Sequence, residues 1–166
     1  GLGSGIKVIA AATDRVRRPP AGVTVLIYHR VGRRAAVEMD LDAAVFDDQM
    51  AELAASGRVV DLDTALAMLD GSTPRPDRDP VVVTFDDGTA DFTDHVVPAL
   101  THAGLPATLY VATEFVDSGR DFPWNAPPTS WAALRDAPPP GLVTIGSHTH
   151  SHWLMDRADP AVVADD

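Results

Sequence analysis

Short apolar runs alternate with amphipathic segments along this chain, and that alternation restricts its fold more than any other feature. The strand-like runs cover residues 23–28, 81–85, 107–112 and 142–145, with a weaker run at residues 58–62. Strands that alternate with helices pair in parallel, because each crossover helix returns the chain to the same edge of the sheet. The sequence therefore predicts an α/β fold, either an open sheet or a barrel.

The helices are predicted from apolar spacing and from the residues that end them. Apolar residues recur three and four apart from Phe46, and Gly57 follows where a C-cap glycine would stand. Three further helices are expected, over residues 63–69, 91–103 and 129–136. Pro98 lacks an amide hydrogen and should kink the helix that contains it, while Gly104 should end that helix.

The end of the chain predicts the start of another helix. Asp159 is a good N-cap and Pro160 a good first helical residue, but the sequence stops at Asp166. A parallel barrel with about five strands would also leave a sheet edge exposed. We therefore expect a domain at residues 23–166 that lacks its C-terminal part, preceded by an N-terminal arm at residues 1–22.

Composition removes several classes of function. The 166 residues carry 24 acidic and 13 basic side chains, for a formal net charge of -11. Binding to nucleic-acid phosphates requires an excess of Lys and Arg, so we expect no nucleic-acid partner. No apolar run approaches the roughly 18 residues that span a bilayer, so we expect no transmembrane segment. The chain has no cysteine, so any zinc would be held by oxygen and imidazole ligands.

Polar residues follow three of the predicted strands at the point where each strand ends. His29 follows the first strand, Asp86 and Asp87 follow the run at residues 81–85, and a histidine-rich segment at residues 147–152 follows the last. Ligand sites of α/β folds lie at the carboxyl ends of the strands. We therefore expect these side chains to converge.

The aspartate pair allows two interpretations. Asp86, Asp87 and Gly88 can form a turn in which an aspartate caps the next helix. Alternatively, two neighbouring carboxylates repel each other, and a bound metal ion relieves that repulsion. His148 and His152 favour the second interpretation, because residues four apart in a helical turn share a face and can bind one ion.

His150 distinguishes two arrangements of the histidines. In a helical turn its side chain points away from those of His148 and His152, and an aspartate supplies the third ligand. In an extended segment all three imidazoles share a face, and no aspartate is needed. Surface or capping roles for these histidines are the remaining alternative.

One aspartate with two histidines leaves open positions on a metal ion. Zinc or a similar divalent ion in such a site lowers the pKa of a bound water and polarises a carbonyl, while the other carboxylate accepts the proton. The set therefore predicts hydrolysis of an ester or an amide, with the metal-bound water as nucleophile. Non-haem iron oxygenases use the same ligand set, but their usual H-x-D spacing is absent here.

Two motifs and two strand sequences occur in a recognisable order. Residues 84–88 read TFDDG and residues 148–152 read HTHSH, while residues 26–31 read LIYHRV and residues 107–111 read ATLYV. The first two resemble the T-F-D-D-G and H-[ST]-x-x-H motifs of the polysaccharide deacetylases, the NodB-homology proteins of carbohydrate esterase family 4. The other two resemble strands of the same family.

The resemblance implies a distorted (β/α) barrel and a metal-dependent removal of N-acetyl groups from an N-acetylated polysaccharide or oligosaccharide. Asp86 would be the general base, and Asp87, His148 and His152 the ligands of a divalent metal, most simply zinc. His29 would face the same pocket. The resemblance also implies an extracellular or cell-envelope location, whereas the sequence specifies neither the glycan nor an oligomeric state.

Other motifs of that family are absent from these residues. The chain contains neither an R-x-P-Y segment, which orients the base in the family, nor the late L-x-H histidine that serves as its acid. Two alternatives therefore stand beside the deacetylase. One is a hydrolase of a cyclic or linear non-sugar amide on the same scaffold, and the other is a non-catalytic fragment that binds sugar or metal.

Overall fold

A parallel sheet forms the centre of the structure, a computed structural model that describes residues 22–166. Residues 1–21 of the expected N-terminal arm lie outside the described residues. The strands are β1 (Thr24–Tyr28), β2 (Arg30–Val31), β3 (Asp40–Leu41), β4 (Val81–Phe85), β5 (Ala107–Val111) and β6 (Val143–Ser147). The helices are α1 (Ala43–Ser56), α2 (Leu62–Leu69), α3 (Val97–Ala103), α4 (Thr113–Ser118), α5 (Trp131–Asp136) and α6 (Pro160–Asp165).

The main sheet has four strands in the order β1-β4-β5-β6, and all three pairings are parallel. Tyr28 lies opposite Phe85, and Val111 lies opposite Ser147, so the carboxyl ends of the four strands meet at one edge. This arrangement confirms the predicted α/β fold. It also brings the segments that follow β1, β4 and β6 to the same side of the sheet.

An aromatic cluster anchors the carboxyl end of β4. The ring of Phe85 lies 5.3 Å from that of Tyr28, 5.9 Å from that of Phe46 and 5.2 Å from that of Phe92, measured between centroids. Phe85 is 1% exposed. Truncation of a buried phenylalanine costs about 3–5 kcal/mol, so this cluster holds the strand end firmly in place.

Helix α1 follows its predicted pattern. The Asp42 side chain accepts a hydrogen bond from the Ala44 amide at 3.0 Å, and Gly57 closes the helix with φ 62°. Phe46 and Met50 are buried in the same hydrophobic cluster as Val83 and Phe85 of β4. The helix therefore covers one face of β1 and β4 through the apolar stripe that its sequence predicts.

The helix expected over residues 91–103 is divided in two. A π-helical turn covers Phe92–Val96, in which the Val97 amide donates to the Phe92 carbonyl, and α3 follows from Val97. The wider turn lies immediately before Pro98, which cannot donate the hydrogen bond of a regular helix. Gly104 ends α3 with φ 65°, as predicted.

Two expectations about strands are wrong. Residues 58–62 form no strand, because only Val59 bridges to Val81 before the chain enters α2. The unbroken apolar run at residues 23–28 is typical of a strand buried on both faces and predicts such burial for β1, but Val25 is 49% exposed and Ile27 is 62% exposed. Successive strand residues face opposite sides, so β1 packs only through the face that carries Tyr28.

The sequence does not predict the ladder of β2 and β3, which is two residues long on each side. A buried ion pair holds it, with Arg30 Nη2 lying 3.4 Å from Asp40 Oδ2. The Val31 amide donates to Asp91 Oδ2 at 2.7 Å and ties the ladder to the segment after β4. These contacts join residues distant in sequence, which local patterns do not reveal.

The chain closes with α6, which the sequence predicts. Asp159 caps it by accepting a hydrogen bond from the Ala161 amide at 2.8 Å, and Pro160 is its first residue. Within residues 22–166, the helices are all too short or too polar to cross a bilayer.

Candidate metal centre

Asp86 and Asp87 follow the buried strand β4 directly. The Asp86 amide donates to the Tyr28 carbonyl at 2.9 Å, and the Asp87 carbonyl accepts from the Ala112 amide at 3.0 Å. Both neighbouring strands therefore hold this turn. Asp87 has φ 73°, a left-handed conformation that aspartate tolerates better than most residues, and its side chain is directed into the protein, leaving the residue 9% exposed.

Gly88 makes the turn possible. Its φ is 92°, and a Cβ atom at this position would lie 3.3 Å from Val111 Cγ1 on the neighbouring strand. Glycine alone combines that backbone conformation with so close an approach. The glycine of the TFDDG motif thus allows the chain after β4 to pass close to β5. In this turn the Asp87 side chain faces the segment after β6.

The histidines lie on the segment that follows β6. The His148 amide donates to the Val111 carbonyl at 2.9 Å, which continues the pairing of β5 with β6 by one residue. Beyond it the backbone turns, with φ 66° at Thr149 and φ 59° at His152. Thr149 Oγ1 accepts a hydrogen bond from the His152 amide at 2.9 Å and closes the turn on itself.

The structure brings Asp87, His148 and His152 together. Asp87 Oδ1 lies 3.1 Å from His152 Nε2 and 3.5 Å from His148 Nε2, and one ligand atom from each residue lies within 4.8 Å of the others. Within residues 22–166 this is the single such group of three side chains. Of the two neighbouring aspartates, Asp87 therefore faces the histidines and Asp86 does not belong to the group.

The donor atoms fit a divalent ion such as zinc. Asp87 Oδ1 is buried and makes no hydrogen bond within the described residues, although two imidazole nitrogens face it. A buried carboxylate oxygen without a donor is costly, and a cation between it and the nitrogens removes that cost. Tetrahedral ligands at zinc distances of about 2.0–2.1 Å stand roughly 3.3 Å apart, which falls between the two observed separations.

His150 lies outside this group. Its Nδ1 is 2.8 Å from Thr113 Oγ1, and it does not belong to the group that Asp87 forms with His148 and His152. Of the two arrangements that the sequence allows, neither the helical turn nor the extended segment forms. Residues 148–152 form an irregular loop, because Thr149 and His152 adopt left-handed φ angles that no helix contains.

His29 and Asp86 lie beside the group. His29 Nε2 is 3.8 Å from Asp86 Oδ2, and their side chains are 31% and 20% exposed. A cavity of about 120 Å³ is lined by His29, Asp87, His152 and Trp124, among others. A larger groove of about 780 Å³ lies between α1 and α3, but it contains none of the predicted site residues.

Aromatic side chains that the sequence does not single out support His152. The rings of Phe115 and Phe122 stack 4.0 Å apart, and the imidazole of His152 stands nearly perpendicular to both, at 6.2 and 6.3 Å. The Arg120 guanidinium lies 4.4 Å from the Phe115 ring centroid. Phe115 lies in the short helix α4 and Phe122 in a loop, so neither belongs to a periodic pattern long enough to predict the contact.

Comparison with known proteins agrees with this geometry. The family model described as polysaccharide deacetylase matches residues 73–166, which is more than half of the chain and includes both motifs. This chain belongs to the polysaccharide deacetylase family. No curated protein matches the sequence significantly.

Solved structures of several deacetylases share the fold of this chain. IcaB from Ammonifex degensii is 26% identical with a TM-score of 0.67, over 86% of this chain and 57% of that one. The deacetylase PplD from Streptococcus pyogenes, solved in complex with acetate, is 21% identical with a TM-score of 0.67, over 87% and 63%. A de-N-acetylase from Aggregatibacter actinomycetemcomitans is 24% identical with a TM-score of 0.65, over 84% and 59%.

The match covers only part of these neighbours. The chain spans 57%, 63% and 59% of their lengths. The likenesses at 21% and 24% identity show the fold alone.

Proposed function

We propose that this chain carries the metal-binding part of a deacetylase that removes N-acetyl groups from an N-acetylated polysaccharide or oligosaccharide. Membership of the polysaccharide deacetylase family supports the reaction class. The observation that carries the proposal is the buried Asp87 Oδ1, which lacks a hydrogen bond but lies 3.1 and 3.5 Å from two imidazole nitrogens. Such a triad suits a divalent metal at the reacting centre.

Asp87, His148 and His152 would hold the ion, and zinc is the metal that their donor atoms suit best. When bound, such an ion makes water acidic enough to react near neutral pH and polarises a carbonyl group. The side chain of Asp87 is fixed by its burial, so it would define where the ion sits. The imidazoles approach from the more exposed side of the pocket.

Asp86 would act as the general base. Its carboxylate directly follows β4 and precedes Asp87, lies 3.8 Å from His29, which lines the cavity, and is 20% exposed, so solvent can reach it. Proton transfer to such a positioned carboxylate accompanies attack on the amide carbonyl. The C–N bond then breaks as the leaving nitrogen takes up a proton, and the products are acetate and a sugar with a free amine. His29, 3.8 Å away, would orient the Asp86 carboxylate.

The rim of the pocket suits a sugar ring. Trp124 is 57% exposed, although its neighbours Phe122 and Ala126 are buried, and it lines the same cavity as Asp87 and His152. An exposed indole offers a flat apolar surface with a polar edge, which matches the mixed C–H and hydroxyl surface of a pyranose. This feature favours a glycan over a small linear amide as substrate.

Acetate release tests the proposal. The intact protein is incubated with chitooligosaccharides, peptidoglycan fragments and poly-N-acetylglucosamine, before and after treatment with a chelator and after addition of zinc. We expect acetate from at least one of these glycans, loss of release on chelation and recovery with zinc. Zinc binding without release of acetate from any of the three would contradict the deacetylase and favour a non-catalytic role. Release that survives complete metal removal would contradict the role of the triad.

A further inference from the structure

Asp166 reaches back to the loop that carries the histidines. Its Oδ2 accepts a hydrogen bond from the His150 amide and its Oδ1 one from the Ser151 amide, both at 2.9 Å. One carboxylate thus binds two consecutive backbone N–H groups that lie 16 and 15 residues earlier in the chain. Two adjacent N–H groups that converge on one anion form a compact nest, and charge-assisted hydrogen bonds of this kind are stronger than neutral ones.

Helix α4 supplies other contacts to the loop, among them the bond of 2.8 Å between Thr113 Oγ1 and His150 Nδ1. The carbonyls of Thr149 and His150 accept from the amides of Thr113 and Glu114, at 3.3 and 2.9 Å. Inside the loop, Thr149 and His152 both hold left-handed φ angles, which residues other than glycine adopt at a cost. A backbone in this conformation persists only where surrounding contacts hold it.

The two histidine ligands are supported differently. The amide of His148 is still paired with β5, so its backbone is set by the sheet. His152 lies at the far end of the loop, beyond His150 and Ser151, and among the described residues its amide bonds only to Thr149 Oγ1. Its position relative to Asp87 therefore depends on the rings of Phe115 and Phe122 and on what holds residues 150 and 151.

The histidine loop binds the Asp166 carboxylate. Hydrogen bonding from Ser151 lowers the pKa of the Asp166 carboxyl, so the group is ionised at neutral pH. The side chain gains its partners from the histidine loop rather than from its own helix.

We propose that Asp166 is a positioning residue of the metal centre, which holds residues 150 and 151 so that His152 meets Asp87. The proposal rests on the proposed metal-binding function. Asp166 touches neither the metal nor the substrate. It acts through the backbone of the loop, so its loss should weaken metal binding without removing a ligand.

Zinc affinity tests this role in the intact protein, measured by competition with a chromophoric chelator after each variant is shown to be folded. Outer-shell partners of metal ligands typically contribute 10- to 100-fold in affinity, so we expect Asp166→Ala to weaken zinc binding by roughly tenfold or more. Asp166→Asn keeps the shape but only one good acceptor, and should fall between Ala and wild type. Asp166→Glu keeps the carboxylate and should recover much of the affinity.

Asp156→Asn is the matched control, because Asp156 also lies in the segment after the histidine loop. Its side chain is 75% exposed, and within residues 22–166 its ion pair is with its neighbour Arg157. This variant should leave zinc affinity unchanged. Amide hydrogen exchange of the metal-free protein is a second readout. Exchange at His150 and Ser151 should become faster than in the wild type in Asp166→Ala and Asp166→Asn, and should keep the wild-type rate in the Asp156→Asn control.

The outcomes separate this proposal from the proposed function. Unchanged zinc affinity in folded Asp166→Ala and Asp166→Asn would overturn the positioning role, even if the protein releases acetate. Weaker zinc binding and faster exchange would support it, even if no glycan is deacetylated. A wild-type protein that binds no zinc would overturn it together with the metal site.

Discussion

The two sides of the metal centre are built in different ways. Asp87 follows β4, whose five residues are all buried, and its turn is held by both neighbouring strands. His148 and His152 follow β6, an edge strand with half-exposed residues, and their side chains are 32% and 40% exposed. The carboxylate is therefore placed when the core folds, whereas the imidazole of His152 is placed by a loop that begins at His148. We infer that the first is rigid without metal and the second is ordered by it.

The backbone repeats this contrast. Each side has left-handed residues, but on the strand side one of them is Gly88, against which Val111 packs closely. On the loop side both Thr149 and His152 carry side chains, and their conformations are held by hydrogen bonds. Local stability follows burial and contact density, so the loop should open more readily than the strand end.

The largest expected effect separates chemistry from binding on the strand side. Asp86→Asn removes the proposed base but not a metal ligand, so kcat should fall by roughly 100- to 10,000-fold. Zinc affinity should stay close to that of the wild type, because Asp86 does not belong to the ligand group. Steady-state kinetics of acetate release and a chelator competition measure the two quantities. Loss of zinc together with activity would show that the two aspartates do not have separate roles.

Zinc should order the loop side and leave the strand side unchanged. A ligand that binds only the folded state at 100 times its Kd stabilises a protein by about 2.7 kcal/mol. Amide exchange should slow at residues 148–152 on zinc addition, while the already protected amides of β4 should change little. His148→Ala should abolish the zinc-dependent change at the loop. Equal protection of both segments by zinc would contradict the contrast between them.

Gly88→Ala tests the strand side through stability. The added Cβ meets Val111 Cγ1 at 3.3 Å and the φ of 92° is strained for alanine, so we expect a loss of about 1–3 kcal/mol in the free energy of unfolding. Gly71→Ala is a suitable control. Its φ of 85° carries similar backbone strain, but no atom lies within 4 Å of the added Cβ. Denaturant unfolding measures both variants, and equal losses would mean that packing against β5 contributes nothing.

Thr149→Ala should have the smallest effect, confined to the loop side. It removes the hydroxyl that accepts from the His152 amide, a hydrogen bond worth about 0.5–1.5 kcal/mol, and zinc affinity should fall several-fold. Thr149→Ser keeps the hydroxyl and should retain most of the affinity. The same chelator competition compares them. Equal affinities of the Ala and Ser variants would show that this hydrogen bond does not position His152.

Much of the fold could be predicted because its signals are local. The unbroken apolar run of β4, the stripe that begins at Phe46 and the glycines after α1 and α3 each act within one or two turns of chain. The expected burial of β1 failed for a nonlocal reason. An apolar run shows that a strand can be buried, but its neighbours in the sheet decide whether both faces are covered.

The candidate site divides in the same way. The two motifs predict which residues come together, because parallel strands bring their carboxyl ends to one edge. The shape of the loop was not predictable, since the four-residue spacing of His148 and His152 suits a helical turn as well as the irregular loop that forms. The stacked rings of Phe115 and Phe122, and the carboxylate of Asp166, reach this loop from segments with no shared pattern.

The sequence by itself determined an α/β chain with carboxylates after one strand and imidazoles after another, because hydrophobic period and turn residues act over short stretches. Local patterns left open which aspartate faces the histidines, and only the resemblance implied Asp87. In the folded chain Asp87 faces His148 and His152, while His150 bonds to Thr113. Which of two adjacent side chains faces a site depends on the backbone dihedral angles at that turn, and local sequence patterns do not determine these angles. The packing of β4 against β5 and the hydrogen bonds of the loop select one backbone conformation at each of these two turns.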